Sequence, residues 1–230
     1  MPVTVEIRRG SGRFAERAPG RITRHSLAFG DSYDAGEARF GPMVCHDDHL
    51  LRDGTGFEAH RHRDVEIVTW VVSGALAHTH GGGVPTVVPA GSVAWLTTGD
   101  GVEHTEVAAA PQTRFVQVWL AAPPGSEAAE RRTSSYVVSA VEAAVPGAGL
   151  VTACEPFPGA RLSVARLDAL ETVVVPAGPR THVYVARGAL LRSSLAEPVA
   201  EGDAFRFVDE PEREVRAAVP TELLVWSFDA

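Results

Sequence analysis

Apolar residues in this chain fall in short runs divided by turn signals. Residues 65–72 run into Ser73-Gly74, residues 86–88 into Pro89-Ala90-Gly91, residues 93–97 into Gly99-Asp100-Gly101, and residues 114–120 into Pro123-Pro124-Gly125. Short runs rich in valine and aromatic side chains, punctuated this regularly, predict an all-β sandwich or barrel. Alanine and glutamate cluster at 124–132 and 139–144, the candidates for short helices. A second set of predicted strands covers 162–167, 172–175, 182–186, 204–208, 214–218 and 222–228. Between the two sets, at 121–133, a Pro-Pro-Gly and a polar, alanine-rich stretch interrupt the pattern. The expected division is a first domain at 1–120, a linker at 121–133 and a second domain at 134–230.

A repeat is visible across that division. Trp70-Val71-Val72-Ser73-Gly74-Ala75-Leu76 is matched by Tyr184-Val185-Ala186-Arg187-Gly188-Ala189-Leu190, with Gly-Ala-Leu common to both. Pro89-Ala90-Gly91 follows the first copy at nearly the distance at which Glu201-Gly202-Asp203 follows the second. Two related barrels are implied.

Composition narrows the class. The formal charge of -8 gives no broad positive surface for nucleic acid or an anionic membrane. No apolar run reaches the roughly 18 residues of a membrane span, and the arginine-bearing N-terminus has no apolar signal core. Cys45 and Cys154 are too few and too far apart for a disulfide framework, which suits a reducing, cytoplasmic setting. Every basic residue apart from histidine is arginine, the coding bias of a GC-rich bacterial genome.

The candidate chemistry lies in two pairs, His60-x-His62 and His104-x-Glu106. Side chains two apart on a strand share a face, so each pair can aim at one ion. Imidazole with a carboxylate suits Fe(II), Mn, Ni, Co, Cu or Zn rather than calcium. Glu66 has the strand parity of His60 and His62, which would let it face the same cavity; the alternative is a structural salt bridge or hydrogen bond. His78-Thr79-His80 runs into Gly81-Gly82-Gly83 and reads as a solvent-facing hairpin end. His46-Asp47-Asp48-His49 reads as a polar loop, since consecutive residues cannot converge. His25 and His182 read as ordinary isolated histidines, and Trp70 and Trp95 as barrel packing.

The stretch from Gly54 through His60-Arg61-His62 to Glu66 resembles the first cupin motif in the form used by pirins. The stretch from Pro89-Ala90-Gly91 through Gly99-Asp100-Gly101 to His104-Thr105-Glu106 resembles the second. Arg24-His25-Ser26-Leu27-Ala28-Phe29 and Phe40-Gly41-Pro42-Met43-Val44 are similar to the entry strand of bacterial pirins. The resemblance implies a bicupin, two packed double-stranded β-helix (jelly-roll) barrels, with metal in the first and a degenerate second. It also implies that His60, His62, His104 and Glu106 bind the metal, with Fe(II) expected, and that Glu66 stands outside the coordination sphere as a supporting residue.

For activity, the resemblance implies a dioxygenase of the quercetin 2,3-dioxygenase type, opening a flavonol ring with O2. Glu106 would then be the catalytic base for the substrate hydroxyl. The alternative is a non-catalytic iron-binding protein that senses redox state and acts through a protein partner. A monomer is expected in either case.

Overall fold

In the computed structural model, residues 4–28, 38–191 and 198–229 are described. Phe29, which ends one stretch of the family resemblance, lies outside them. The chain forms β1 (Thr4–Arg8), β2 (Phe14–Ala18), β3 (Arg21–His25), β4 (Met43–Arg52), β5 (Gly56–His62), β6 (Glu66–Ser73), β7 (Ala75–His80), β8 (Thr86–Pro89), β9 (Ser92–Thr97), β10 (Val102–Ala108), β11 (Gln112–Leu120) and β12 (Ser135–Ala140). There follow β13 (Val151–Phe157), β14 (Ala160–Leu167), β15 (Thr172–Val175), β16 (Gly178–Arg187), β17 (Ala204–Glu210), β18 (Arg213–Arg216) and β19 (Thr221–Phe228). The all-β expectation holds. The proposed short helices do not form: residues 124–132 make turns, and Ser139 and Ala140 end a strand.

Two compact units result, one of Phe14–Ala140 and one of Val141–Ala230 with Met1–Arg13. The expected boundaries therefore move at both ends. β1 pairs with β17, so the N-terminal strand belongs to the C-terminal unit. β12 pairs with β9, and its Tyr136 and Val138 pack on Leu51, Val71 and Phe115. Strand pairing is long-range, and a change of local composition does not reveal it.

The first unit has a seven-stranded sheet, ordered β12-β9-β6-β11-β4-β3-β2, and a four-stranded sheet, ordered β5-β10-β7-β8. In β11, Phe115 joins one apolar core cluster and Trp119 packs on a second, around Ile67, Leu96 and Val102. Gln117 lies between them in the alternation and therefore on the same face. The second unit has a six-stranded sheet, β1-β17-β16-β19-β14-β13, and the pair β15-β18. Its core gathers Val173, Val175, Val183, Val185, Leu223 and Val225.

The sequence repeat is a repeat of hydrogen bonds. In the first unit Ala90 N–H donates to the Gly74 carbonyl at 3.0 Å and Gly91 N–H to Val71 at 2.9 Å. In the second, Glu201 N–H donates to Gly188 at 2.9 Å and Gly202 N–H to Val185 at 2.9 Å. The Thr113 hydroxyl donates to the Ala75 carbonyl at 2.7 Å, as Thr221 does to Ala189 at 3.0 Å. Gly74 and Gly188 have φ of 74° and 82°, where a Cβ would meet the carbonyls of Gln112 and Pro220, so both turns require glycine.

Candidate metal centre

The centre is built where β5 meets β10. His60 stands directly opposite His104, and His62 opposite Val102. Below His60 the register slips: Glu106 pairs with Phe57, so β5 carries one residue more than β10. This is a β-bulge, the kind of irregularity that re-aims side chains. Gly56 allows the strands to close up, since a Cβ there would collide with the Glu106 carbonyl oxygen.

The two histidine positions on β5 and the one on β10 converge. Ring centroids are 4.3 Å apart for His60 and His104, 4.9 Å for His60 and His62, and 5.1 Å for His62 and His104. One nitrogen from each ring lies within 4.8 Å of the others. His60 Nδ1 donates to the Glu58 carbonyl at 2.6 Å, which leaves its Nε2 as the lone-pair atom. Nε2 of His62 and Nε2 of His104 are buried without a hydrogen-bond partner. Buried polar nitrogens are rarely left unpaired. Three imidazole nitrogens in this arrangement fit a divalent first-row metal.

Electrostatics favour the ligating form. Burial, then the neighbouring His60, pushes His62 down to about 4. Burial, then His60, His78, His62 and His80, pushes His104 down to about 2. Both rings are therefore neutral near pH 7, as a metal ligand requires.

Glu106 is buried on β10 but lies outside the group formed by the three histidine nitrogens. Burial raises its carboxyl to about 7, against the opposing effect of a hydrogen bond from Gln117. That bond, Gln117 Nε2 to Glu106 Oε1, is 2.7 Å, and the same amide donates to Thr69 Oγ1 at 3.1 Å. Trp119 Nε1 donates to Gln117 Oε1 at 2.9 Å, and an indole can only donate, so the amide has to face this way round. Trp119 also sets its ring edge-on to His62, with centroids 4.5 Å apart.

Glu66 is elsewhere. Asp64, with φ of 59°, turns the chain between β5 and β6, which breaks the parity with His60 and His62. The Glu66 carboxylate accepts from Trp95 Nε1 at 2.6 Å, Thr97 Oγ1 at 2.7 Å and Arg131 at 3.2 Å. Its partners are structural, and it lines a cavity of about 240 Å³ with Val65, Thr97, Pro124 and Arg131.

Two polar segments depart from expectation. His78 is no hairpin tip: it is 2% exposed, on β7 opposite Glu106, and its Nε2 lies 3.0 Å from His104 Nδ1. Tyr136 of β12 stacks on it at 3.9 Å, and this cover is what the sequence could not indicate. Residues 46–49 are no loop but the middle of β4, all four buried. Each side chain has a partner on an adjacent strand or just beyond its end: His46 with Ser26, Asp47 with His25, His49 with Thr23, and Asp48 with Arg114 through two bonds of 3.0 and 2.7 Å. His25 is thus a paired core histidine, and His182 is a buried member of β16 opposite Arg206 and Trp226. Gln117 and Tyr136 were not singled out from the sequence. Strict alternation with Phe115 and Trp119 was the available signal for Gln117.

Two antiparallel β-units, one carrying three converging histidines at facing strands, define a bicupin. The sequence model of the family described as Pirin matches residues 8–120. A Mycobacterium tuberculosis protein named "Putative quercetin 2,3-dioxygenase" is 35% identical over 100% of this chain and 97% of its own length. The quercetin 2,3-dioxygenase of Escherichia coli K12 is 30% identical over 42% of each chain. Among solved structures, the bacterial pirin YhhW of Escherichia coli in complex with nickel(II) superposes with a TM-score of 0.84 at 23% identity, covering 98% of this chain and 99% of the other. An Acinetobacter baumannii structure titled quercetin 2,3-dioxygenase gives 0.77 at 20% identity, covering 97% of this chain and 85% of that one. The chain belongs to the pirin family. Among the described residues, no helix is long and apolar enough to cross a membrane.

Proposed function

We propose that this protein is a metal-dependent dioxygenase that opens a flavonol-like aromatic ring with O2. The observation that carries the reading is the convergence of His62 and His104, each with an Nε2 buried and without a partner, on the half-buried His60. His60, His62 and His104 would hold the ion, Fe(II) first, with Glu106 as the fourth ligand. When bound, the metal supplies Lewis acidity toward the substrate hydroxyl and a route for electrons to O2. Glu106, a buried carboxylate on β10, is suited to receive the flavonol 3-hydroxyl proton. Gln117 holds Glu106 Oε1, which fixes the orientation of the carboxylate. The names of the curated relatives support the substrate class.

The test is direct. Protein stripped with a chelator is loaded in turn with Fe(II), Mn(II), Ni(II), Co(II) and Cu(II), and quercetin absorbance is followed in air. Ring opening with release of carbon monoxide, lost in His62→Ala, is the expected result. No turnover with any metal would overturn it and favour a redox-sensing protein that acts through a partner.

A further inference from the structure

We infer that His78 is a positioning residue for the metal centre: by accepting a hydrogen bond from His104 Nδ1, it fixes which nitrogen His104 offers to the ion. The inference rests on the proposed metal centre and adds to it a residue that is not a ligand.

The argument is one of tautomers. His104 Nδ1 lies 3.0 Å from His78 Nε2, which leaves Nε2, buried without a partner, as the nitrogen His104 can offer to the group formed with His60 and His62. A neutral imidazole carries one N–H. If Nε2 binds metal, Nδ1 must carry the proton and donate it, and His78 Nε2 must be the acceptor. His78 then carries its own proton on Nδ1, which is buried and has no hydrogen-bond partner among the described residues. A buried donor without an acceptor is a standing cost to the fold. His78 is therefore poorly explained as a stabilising core residue. What it provides is an Nε2 lone pair at the back of His104.

The surroundings hold it in that role. The ring is 2% exposed and lies almost parallel to Tyr136, with 15° between planes at 3.9 Å. It sits opposite Glu106 in the β7–β10 ladder, so strand register fixes its height relative to His104. Outer partners that donate to or accept from a ligating histidine set ring orientation and ligand basicity.

The experiment measures metal binding and not turnover. Full-length native protein, His78→Leu, His78→Phe and His78→Gln are stripped and titrated with Co(II) against a chromophoric chelator, and the visible ligand-field bands are recorded. Leucine and phenylalanine remove the acceptor, and phenylalanine keeps the stack on Tyr136 if leucine fails to fold. Both should weaken Co(II) binding by about 10- to 100-fold and shift the bands. Glutamine places an amide oxygen near the former Nε2 and should restore affinity to within about threefold of native. The metal-free melting temperature of His78→Leu should equal or exceed that of the native protein.

Native affinity and unchanged bands in both apolar variants would overturn the inference. So would equal weakening in all three variants with a fall in metal-free melting temperature, which would mark His78 as packing alone. A native protein that binds no divalent metal would overturn the metal centre itself and this inference with it. Metal binding without quercetin turnover would bear only on the oxygenase reading.

Discussion

Acid should destabilise the first unit through a histidine that takes no part in the metal centre. His49 is 4% exposed, enclosed by Phe57 at 4.9 Å and Phe115 at 4.7 Å between ring centroids. Its Nδ1 is hydrogen-bonded to the buried hydroxyl of Thr23 at 2.9 Å. Burial pushes the imidazole from 6.5 down to about 4, more than the nearby Asp47 and Asp48 can offset. A histidine lowered in the folded state binds its proton more readily when unfolded. Between pH 6.5 and 4 the unfolded chain thus holds more protons, and stability rises with pH in that window and is lost as pH falls. The full effect is about 3 kcal/mol, of which about 2 kcal/mol is gone by pH 5.

His25 works in the opposite sense. Burial lowers it, but the hydrogen bond and charge of Asp47, aided by Glu16, leave it raised overall. Its contribution is present below pH 6.5 and fades only as pH climbs through its raised value, so it cannot mimic the loss on acidification. The perturbation is His49→Asn, which keeps an acceptor near Nδ1 for Thr23 and removes the titration. Urea unfolding of metal-free native and variant protein is followed by tryptophan fluorescence at pH 7.5 and 5.0. Trp70, Trp95 and Trp119 lie in the first unit, so the signal is weighted toward it. Other buried histidines add the same slope to both proteins and cancel in the difference. The native protein should lose about 2 kcal/mol more than the variant. Parallel losses in the two proteins would refute the account of His49 as a neutral, acid-sensitive core group.

Two further perturbations probe the framework of the site. Gly56→Ala would drive a methyl group into the Glu106 carbonyl and separate β5 from β10, lowering stability by about 1–3 kcal/mol and weakening metal binding together, as measured by denaturation and chelator competition. Arg114→Ala removes the two-bond partner of Asp48, whose side chain is 2% exposed, and should cost about 3–5 kcal/mol in denaturant unfolding, more at pH 7 than under acid conditions that protonate the carboxylate.

What could be read from the sequence was whatever depended on neighbours along the chain. The valine-rich strands were legible because their alternation is local, and the shared direction of His60 and His62 because i and i+2 share a face by geometry alone. The Gly-Ala-Leu repeat was legible because a positive-φ glycine and a close carbonyl leave few alternatives at Gly74 and Gly188. β4 was not, because its four polar residues are core-compatible only through Thr23, His25, Ser26 and Arg114, which come from elsewhere in the chain. Glu66 was misplaced for a single backbone angle. Asp64 at φ 59° ends the alternation that began at His60, and parity arguments do not survive such a residue.

The same contrast explains why the centre sits in this barrel wall. A ligand set needs rings that are neutral, oriented and short of hydrogen bonds on one side, and each condition comes from a different level. Strand geometry supplies the shared face, burial supplies neutrality at His62 and His104, and cross-strand partners occupy the far nitrogen of His104 and one oxygen of Glu106. Only the first is written in His-x-His. The other two depend on His78, Tyr136 and Gln117, which no spacing rule joins to the ligands. Substitution at those positions should therefore alter the metal while leaving all three histidines and Glu106 in place.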